Sequence, residues 1–248
     1  MLTLLSDRAA AGVRLAAKLQ AYAGRADVIV LGIPRGGVPV AFEVARALKV
    51  PLDVFIVRKL GAPGYHELAM GAIATGGARV VNEDVVNSLG IPHFAIERMV
   101  VVEEEEIERR EQAYRGDRGP LNVRGKIVIL VDDGMATGST MLVAVKALRS
   151  LSPRRVVVAL GVSAPSACAA ASQVADECVC VLEPPDLGAI SPWYLDFRQT
   201  EDAEVCALLE RSAEWPQSRR ANRRARRPVP RPERPRPGSA VTTSNSLN

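Results

Sequence analysis

The run Lys-Ile-Val-Ile-Leu-Val at 126–131 leads straight into Asp132 and Asp133. A stretch this apolar and β-branched, with no polar alternation, suits a strand covered on both faces, which is the setting of a parallel sheet. Three more runs share the character: DVIVLGI at 27–33, LDVFIV at 52–57 and RVVVALGVS at 155–163. Between them lie segments that read as helices, at 38–48, at about 140–150 and from Pro165. Strand, turn, helix and strand in succession form βαβ units, so the expected class is α/β, a Rossmann-like parallel sheet flanked by helices. Residues 7–23 read as a first helix capped by Ser6, 178–182 as the last core strand and 202–212 as a final helix.

The intervening 58–77 carries five glycines and Pro63 and reads largely as a mobile loop, entering a short strand near 68–74, with a further strand at 79–82. Residues 92–114 read as a long helix. Its EEEE and ERRE runs are expected to form a solvated face of i,i+4 pairs.

Composition divides the chain. Nine arginines and one glutamate lie from Pro216 onward, so the whole-chain net charge of +4 leaves −4 for the remainder. We expect one domain at 1–215 and a disordered Arg/Pro-rich tail at 216–248, since the tail has no apolar periodicity with which to build a core. Contact with nucleic acid is then open only to the tail. No secretory leader and no run of about 18 uncharged apolar residues is present, so no membrane span is expected. Cys168, Cys178, Cys180 and Cys206 include no CxxC pair and have only two histidines to help them. They read as buried free thiols rather than a zinc site, and free thiols fit a cytoplasmic location.

The chemistry concentrates in VILVDDGMATGST at 128–140. A buried strand ending in two carboxylates places them at the carboxyl edge of a parallel sheet, where open α/β folds bind ligands. Thr137, Gly138, Ser139 and Thr140 follow at a helix start, where free amides, hydroxyls and the positive helix end hold a phosphate. Phosphate donors beside acceptors for sugar hydroxyls describe a pocket for a ribose phosphate. An acid-capped turn with no ligand is the alternative for the motif taken alone.

The 13-residue string resembles the phosphoribosyl pyrophosphate (PRPP) signature of the type I phosphoribosyltransferases, with Gly134 where a larger apolar residue is usual. GIPRGGV at 32–38 resembles that family's pyrophosphate loop, in which a non-proline cis peptide is common. Val57-Arg58-Lys59 and the glycine-rich stretch after it resemble the basic pair and closing loop. The resemblance covers roughly 27–182 and is nearest to a subgroup whose acceptor is poorly defined. It implies the type I phosphoribosyltransferase fold with a small hood, placed at 183–200. It implies transfer of 5-phosphoribosyl from PRPP to a nitrogenous base or related amine, releasing pyrophosphate. In that reading Arg58, Lys59, Asp132 and Asp133 are catalytic, and Asp132 and Asp133 hold Mg2+ directly or through water. Ala136, Thr137, Gly138, Ser139 and Thr140 hold the 5-phosphate, and Arg35, Gly36 and Gly37 hold the pyrophosphate. Arg58 and Lys59 have the alternative of being surface charges at a strand end. His66 and Glu67 lie in the same loop.

The hypoxanthine and guanine branch of the family carries an aspartate immediately before the motif's threonine. Ala136 stands there in this chain, so those acceptors are not expected. Trp193, Tyr194 and Phe197 in the hood could stack on a flat base, or could anchor the final helix. A homodimer is expected. The alternative to catalysis is a non-catalytic, PRPP-binding regulatory protein, linked to nucleic acid through the basic tail.

Overall fold

The computed structural model describes residues 4–116 and 118–216, without the side chains of residues 65–67. Helix α1 (Arg8–Lys18) opens the fold. Its cap is Asp7 rather than Ser6: the Asp7 carboxylate accepts from the Ala10 amide at 2.7 Å. An ionised cap gains from the positive helix end as well as from the hydrogen bond. Strand β1 (Val28–Gly32), helix α2 (Gly37–Leu48) and strand β2 (Leu52–Val54) form the first βαβ unit.

The expected second strand at 52–57 is broken. After β2 the chain leaves the main sheet, and β3 (Val57–Ala62), β4 (Tyr65–Ala74) and β5 (Ala78–Val81) form a separate antiparallel sheet. The expected mobile loop is therefore mostly a hairpin, joined through Pro63 and Gly64, and the strand expected at 79–82 is present as β5. Buried Thr75 ties its base: the Ile56 amide donates to Thr75 Oγ1 at 3.0 Å and the Thr75 amide to the Ile56 carbonyl at 2.9 Å.

A short helix α3 (Glu83–Ser88), which no periodicity signalled, precedes the long α4 (His93–Arg115). On α4, Glu106 pairs locally with Arg109 and Arg110, as a solvated face would. Glu97 and Glu103 instead reach Arg79 on β5 and Arg58 on β3. Arg115, buried at the helix end, grips Asp53 of β2 through Nε at 3.0 Å and Nη2 at 3.1 Å.

Strand β6 (Ile127–Met135), helix α5 (Ser139–Ser150), strand β7 (Arg155–Ser163), helix α6 (Pro165–Val174), strand β8 (Glu177–Leu182) and helix α7 (Asp202–Ala213) complete the chain. The main sheet is parallel throughout, in the order β2-β1-β6-β7-β8. One face packs on α1, α2 and α7 and the other on α5 and α6, which is why β1, β6 and β7 are apolar at nearly every position. No helix among the described residues is long and apolar enough to cross a membrane. Beyond Pro216 the expected tail lies outside the described residues.

Candidate functional site

The strand order fixes where a ligand can enter. From β1 the chain crosses through α2 to β2 on one side. From β6 it crosses through α5 to β7 on the other. The carboxyl ends of β1 and β6 are thus the switch point of the sheet, where diverging connections open a crevice. The two strands pair up to Gly32 and Val131, after which β1 turns away and β6 continues to Met135. The acid pair sits where β6 loses this neighbour.

Alternation along β6 sends the two carboxylates to opposite faces. Burial pushes the Asp132 carboxyl well above the usual range, and the neighbouring Asp133 charge adds to the shift. Asp132 Oδ1 accepts from the Asp133 amide at 2.9 Å. Asp133 Oδ2 accepts from Arg8 Nε at 2.8 Å, between side chains that are only 15% and 12% exposed.

The pyrophosphate-type loop lies directly against these acids. The Pro34–Arg35 peptide is cis. A Cβ on Gly36 would collide with the Asp133 carboxylate. A Cβ on Gly37 would stand 2.6 Å from the Val131 carbonyl oxygen and 2.9 Å from Asp132 Cα. Only glycine lets this backbone approach the acids so closely. The Arg35 side chain is 39% exposed at the crevice rim and stands 3.8 Å from Asp202 at the start of α7.

Across the crevice, residues 136–138 turn into α5. Gly138 takes φ +83°, a conformation open to glycine, and no side chain caps the helix. Thr137, Ser139 and Thr140 are exposed around amides that lack intrahelical partners. Such free amides and hydroxyls at the positive end of a helix can accept an anion.

The basic pair is divided by strand geometry. Arg58 pairs across the hairpin with Ile73, which packs toward α4, and its Nε lies 2.5 Å from Glu103 Oε2. Lys59 pairs with Ala72 and shares its face with Val57 and Ala74, which pack into the α5 side of the core. Lys59 is exposed on that face. His66 and Glu67 lie on β4, with side chains outside those described.

The loop at 183–200 folds back over β6 and β7. Ile190 fills the space that Gly134 leaves: a Cβ there would stand 2.6 Å from Ile190 Cγ2. Gly161 likewise makes room for the Tyr194 hydroxyl, which donates to the Asp133 carbonyl at 2.6 Å. Tyr194 is 5% exposed, so its ring braces the acid pair and has no face free for a base. Trp193 and Phe197 are half-buried. The Phe197 ring lies 4.9 Å from that of Tyr194 and carries the Arg8 guanidinium 4.0 Å above it.

Arg8 and the segment before it carry no motif, yet they complete this corner. The Leu5 amide donates to the Trp193 carbonyl at 3.0 Å and the Leu195 amide to the Leu5 carbonyl at 2.9 Å. Arg8 Nη1 donates to the Arg198 carbonyl at 2.7 Å. The signal available in the sequence is electrostatic: a cation at the first position of a helix faces the positive end of its dipole, so another acid must hold it. A cleft opens beside Arg8, lined by Asp7, Pro39, Asp196, Thr200 and Glu204.

The geometry agrees with comparisons to known proteins. The profile of the "Phosphoribosyl transferase domain" matches residues 3–197. Two Mycobacterium tuberculosis proteins, from strains H37Rv and CDC 1551, are 43% identical over 209 residues; the first is named "Putative phosphoribosyl transferase Rv0571c". The match takes in 84% of this chain and 47% of theirs, so the chain spans about half the length of these relatives. The crystal structure of TT1426 from Thermus thermophilus superposes with a TM-score of 0.75 at 39% identity, over 86% of this chain and 99% of that one. A parallel sheet with a glycine loop and an acid pair at its switch point, matched along four-fifths of its length by these relatives, makes this chain a member of the phosphoribosyl transferase domain family.

Proposed function

We propose that the chain transfers the 5-phosphoribosyl group of PRPP to a nitrogen nucleophile and releases pyrophosphate. The observation that carries this reading is the apposition of Asp132 and Asp133, the Gly36–Gly37 backbone and the uncapped start of α5 around one crevice. The amides and hydroxyls of 137–140 hold the 5-phosphate, with Ala136 beside them. Asp132 and Asp133 accept from the ribose hydroxyls. Arg35 and the backbone of Gly36 and Gly37 hold the pyrophosphate, and Lys59 approaches it from the small sheet. Breaking the C1–oxygen bond leaves positive charge on the sugar and gathers negative charge on the leaving group. Catalysis here is therefore positioning and electrostatic stabilisation.

The reading includes magnesium bound with PRPP, and the residues suit such an ion. Asp132 is a hard oxygen donor whose carboxyl is raised by burial and, after that, by the neighbouring Asp133 charge, and a cation held there would favour its charged form. Magnesium, when bound, neutralises charge on the departing pyrophosphate. Asp133, already held by Arg8, contributes through orientation.

On the acceptor side, Ala136 offers no base to a 6-oxopurine, and the corner built by Arg8, Trp193 and Phe197 forms the hood. The experiment is a panel of bases and small amines with PRPP and magnesium, read by pyrophosphate release. Release with at least one acceptor other than hypoxanthine or guanine is expected. Calorimetry showing tight PRPP binding with no release from any acceptor would instead favour a regulatory PRPP-binding protein. The Arg8–Asp133 ion pair suits that reading, because PRPP could displace it and so move the N-terminal segment.

A further inference from the structure

Away from the crevice, helix α6 and edge strand β8 bring three thiols together. Cys178 and Cys180 are two residues apart on β8 and so point to one face, toward α6. Cys168 faces them from the first turn of α6. Its sulfur is 3.0 Å from Cys178 Sγ and 3.3 Å from Cys180 Sγ, and the remaining edge of the triangle is 4.0 Å. Their spacing in the sequence, ten and two residues, matches no common metal motif, which is why they read there as independent buried thiols. Only Cys180 is fully buried; Cys168 and Cys178 are half-buried.

Three sulfurs at this separation can share one ion. Zinc bound at about 2.3 Å by thiolates in a tetrahedron spaces them roughly 3.8 Å apart, so small side-chain rotations suffice. Soft sulfur donors select thiophilic ions over magnesium or calcium. Cys168 and Cys178 are only half-buried, so water reaches the fourth position.

We propose that Cys168, Cys178 and Cys180 form a zinc site, with water as fourth ligand. Binding deprotonates the three thiols, releases their protons to solvent and changes no oxidation state. The site clamps α6 to the open edge of the sheet. Cys180 is in register with Leu160 of β7, which is in register with Asp132, so the clamp sits at the height of the acid pair, two strands away or roughly 10 Å. It also fixes the point from which the loop at 183–200 departs. The site stands independently of the phosphoribosyl transfer reading.

The test uses the full chain, reduced and freed of metal with chelator, then titrated with cobalt(II) as a spectroscopic stand-in for zinc. The expected result is one equivalent of cobalt giving a sulfur-to-metal charge-transfer band, displaced by zinc, with a higher melting temperature in the zinc form. Cys168→Ala and Cys178→Ala should each weaken zinc binding by about a hundredfold or more, the loss expected when one of four ligands goes. Asp132→Asn with Asp133→Asn should leave the band unchanged. Absence of the band in the unmodified chain overturns the proposal, whatever the variants do. Metal uptake that survives both cysteine variants and vanishes in the double aspartate variant overturns it too.

Discussion

Arg8, at the first position of α1, donates through Nε to Asp133 Oδ2 at 2.8 Å across 125 residues of sequence. The same guanidinium stacks on Phe197 and donates to the Arg198 carbonyl. One side chain therefore joins the N-terminal segment, the acid pair and the loop at 183–200. Arg8→Ala leaves a largely buried carboxylate without its charge-assisted hydrogen bond, so a loss of about 2–3 kcal/mol is expected in urea unfolding. In a double-mutant cycle with Asp133→Asn the two losses should be strongly non-additive; simple additivity would show the pair to be energetically idle.

Asp132 sets a pH dependence. Its carboxyl is raised in the folded chain, so over the affected range the folded state keeps a proton that the unfolded state has released. Stability then falls as pH rises from the ordinary aspartate value, about 4, through the raised folded value. Asp132→Asn should remove that fall, giving a chain more stable than wild type at neutral pH in chelator, yet impaired in PRPP binding. Parallel pH–stability curves for the two proteins would refute this.

The two loop glycines should respond differently to a methyl group. At Gly37 the new Cβ meets backbone of β6, which cannot move aside, and a loss of about 1–3 kcal/mol is expected. At Gly36 it meets the Asp133 carboxylate and Arg8, which can shift, so the loss of stability should be smaller while PRPP affinity drops. Thermal melts with PRPP titrations separate the two effects.

Arg58 and Lys59 lie on opposite faces of β3 and should divide their roles. Arg58→Ala removes a part-exposed ion pair with Glu103, at a cost below about 1 kcal/mol, with turnover little changed. Lys59→Ala should lower kcat by about a hundredfold, as expected when one group stabilising the leaving charge is lost, with PRPP affinity less affected. Equal kinetic losses in the two variants would overturn this division.

Tyr194→Phe deletes the hydroxyl that donates to the Asp133 carbonyl. About 1 kcal/mol of stability should go, with the acid pair less firmly placed. A fluorescence response of Trp193 to acceptor in wild type, dampened in this variant, would connect the brace to the hood.

The sequence by itself determined the βαβ units, the parallel sheet and the position of the acid pair at the end of one of its strands. Uninterrupted apolar runs demand burial on both faces, and glycines beside acids at strand ends mark close backbone approach; both are local signals. It did not determine that 57–74 would be a hairpin, because three glycines there weaken the strand pattern, and the Ile56–Thr75 tie at its base forms only once the two strands have paired. Nor could it place Arg8 on Asp133, turn Tyr194 inward beneath the hood, or gather Cys168, Cys178 and Cys180 within contact of one another. These relationships depend on which elements the sheet order brings side by side, so only the tertiary structure decided them.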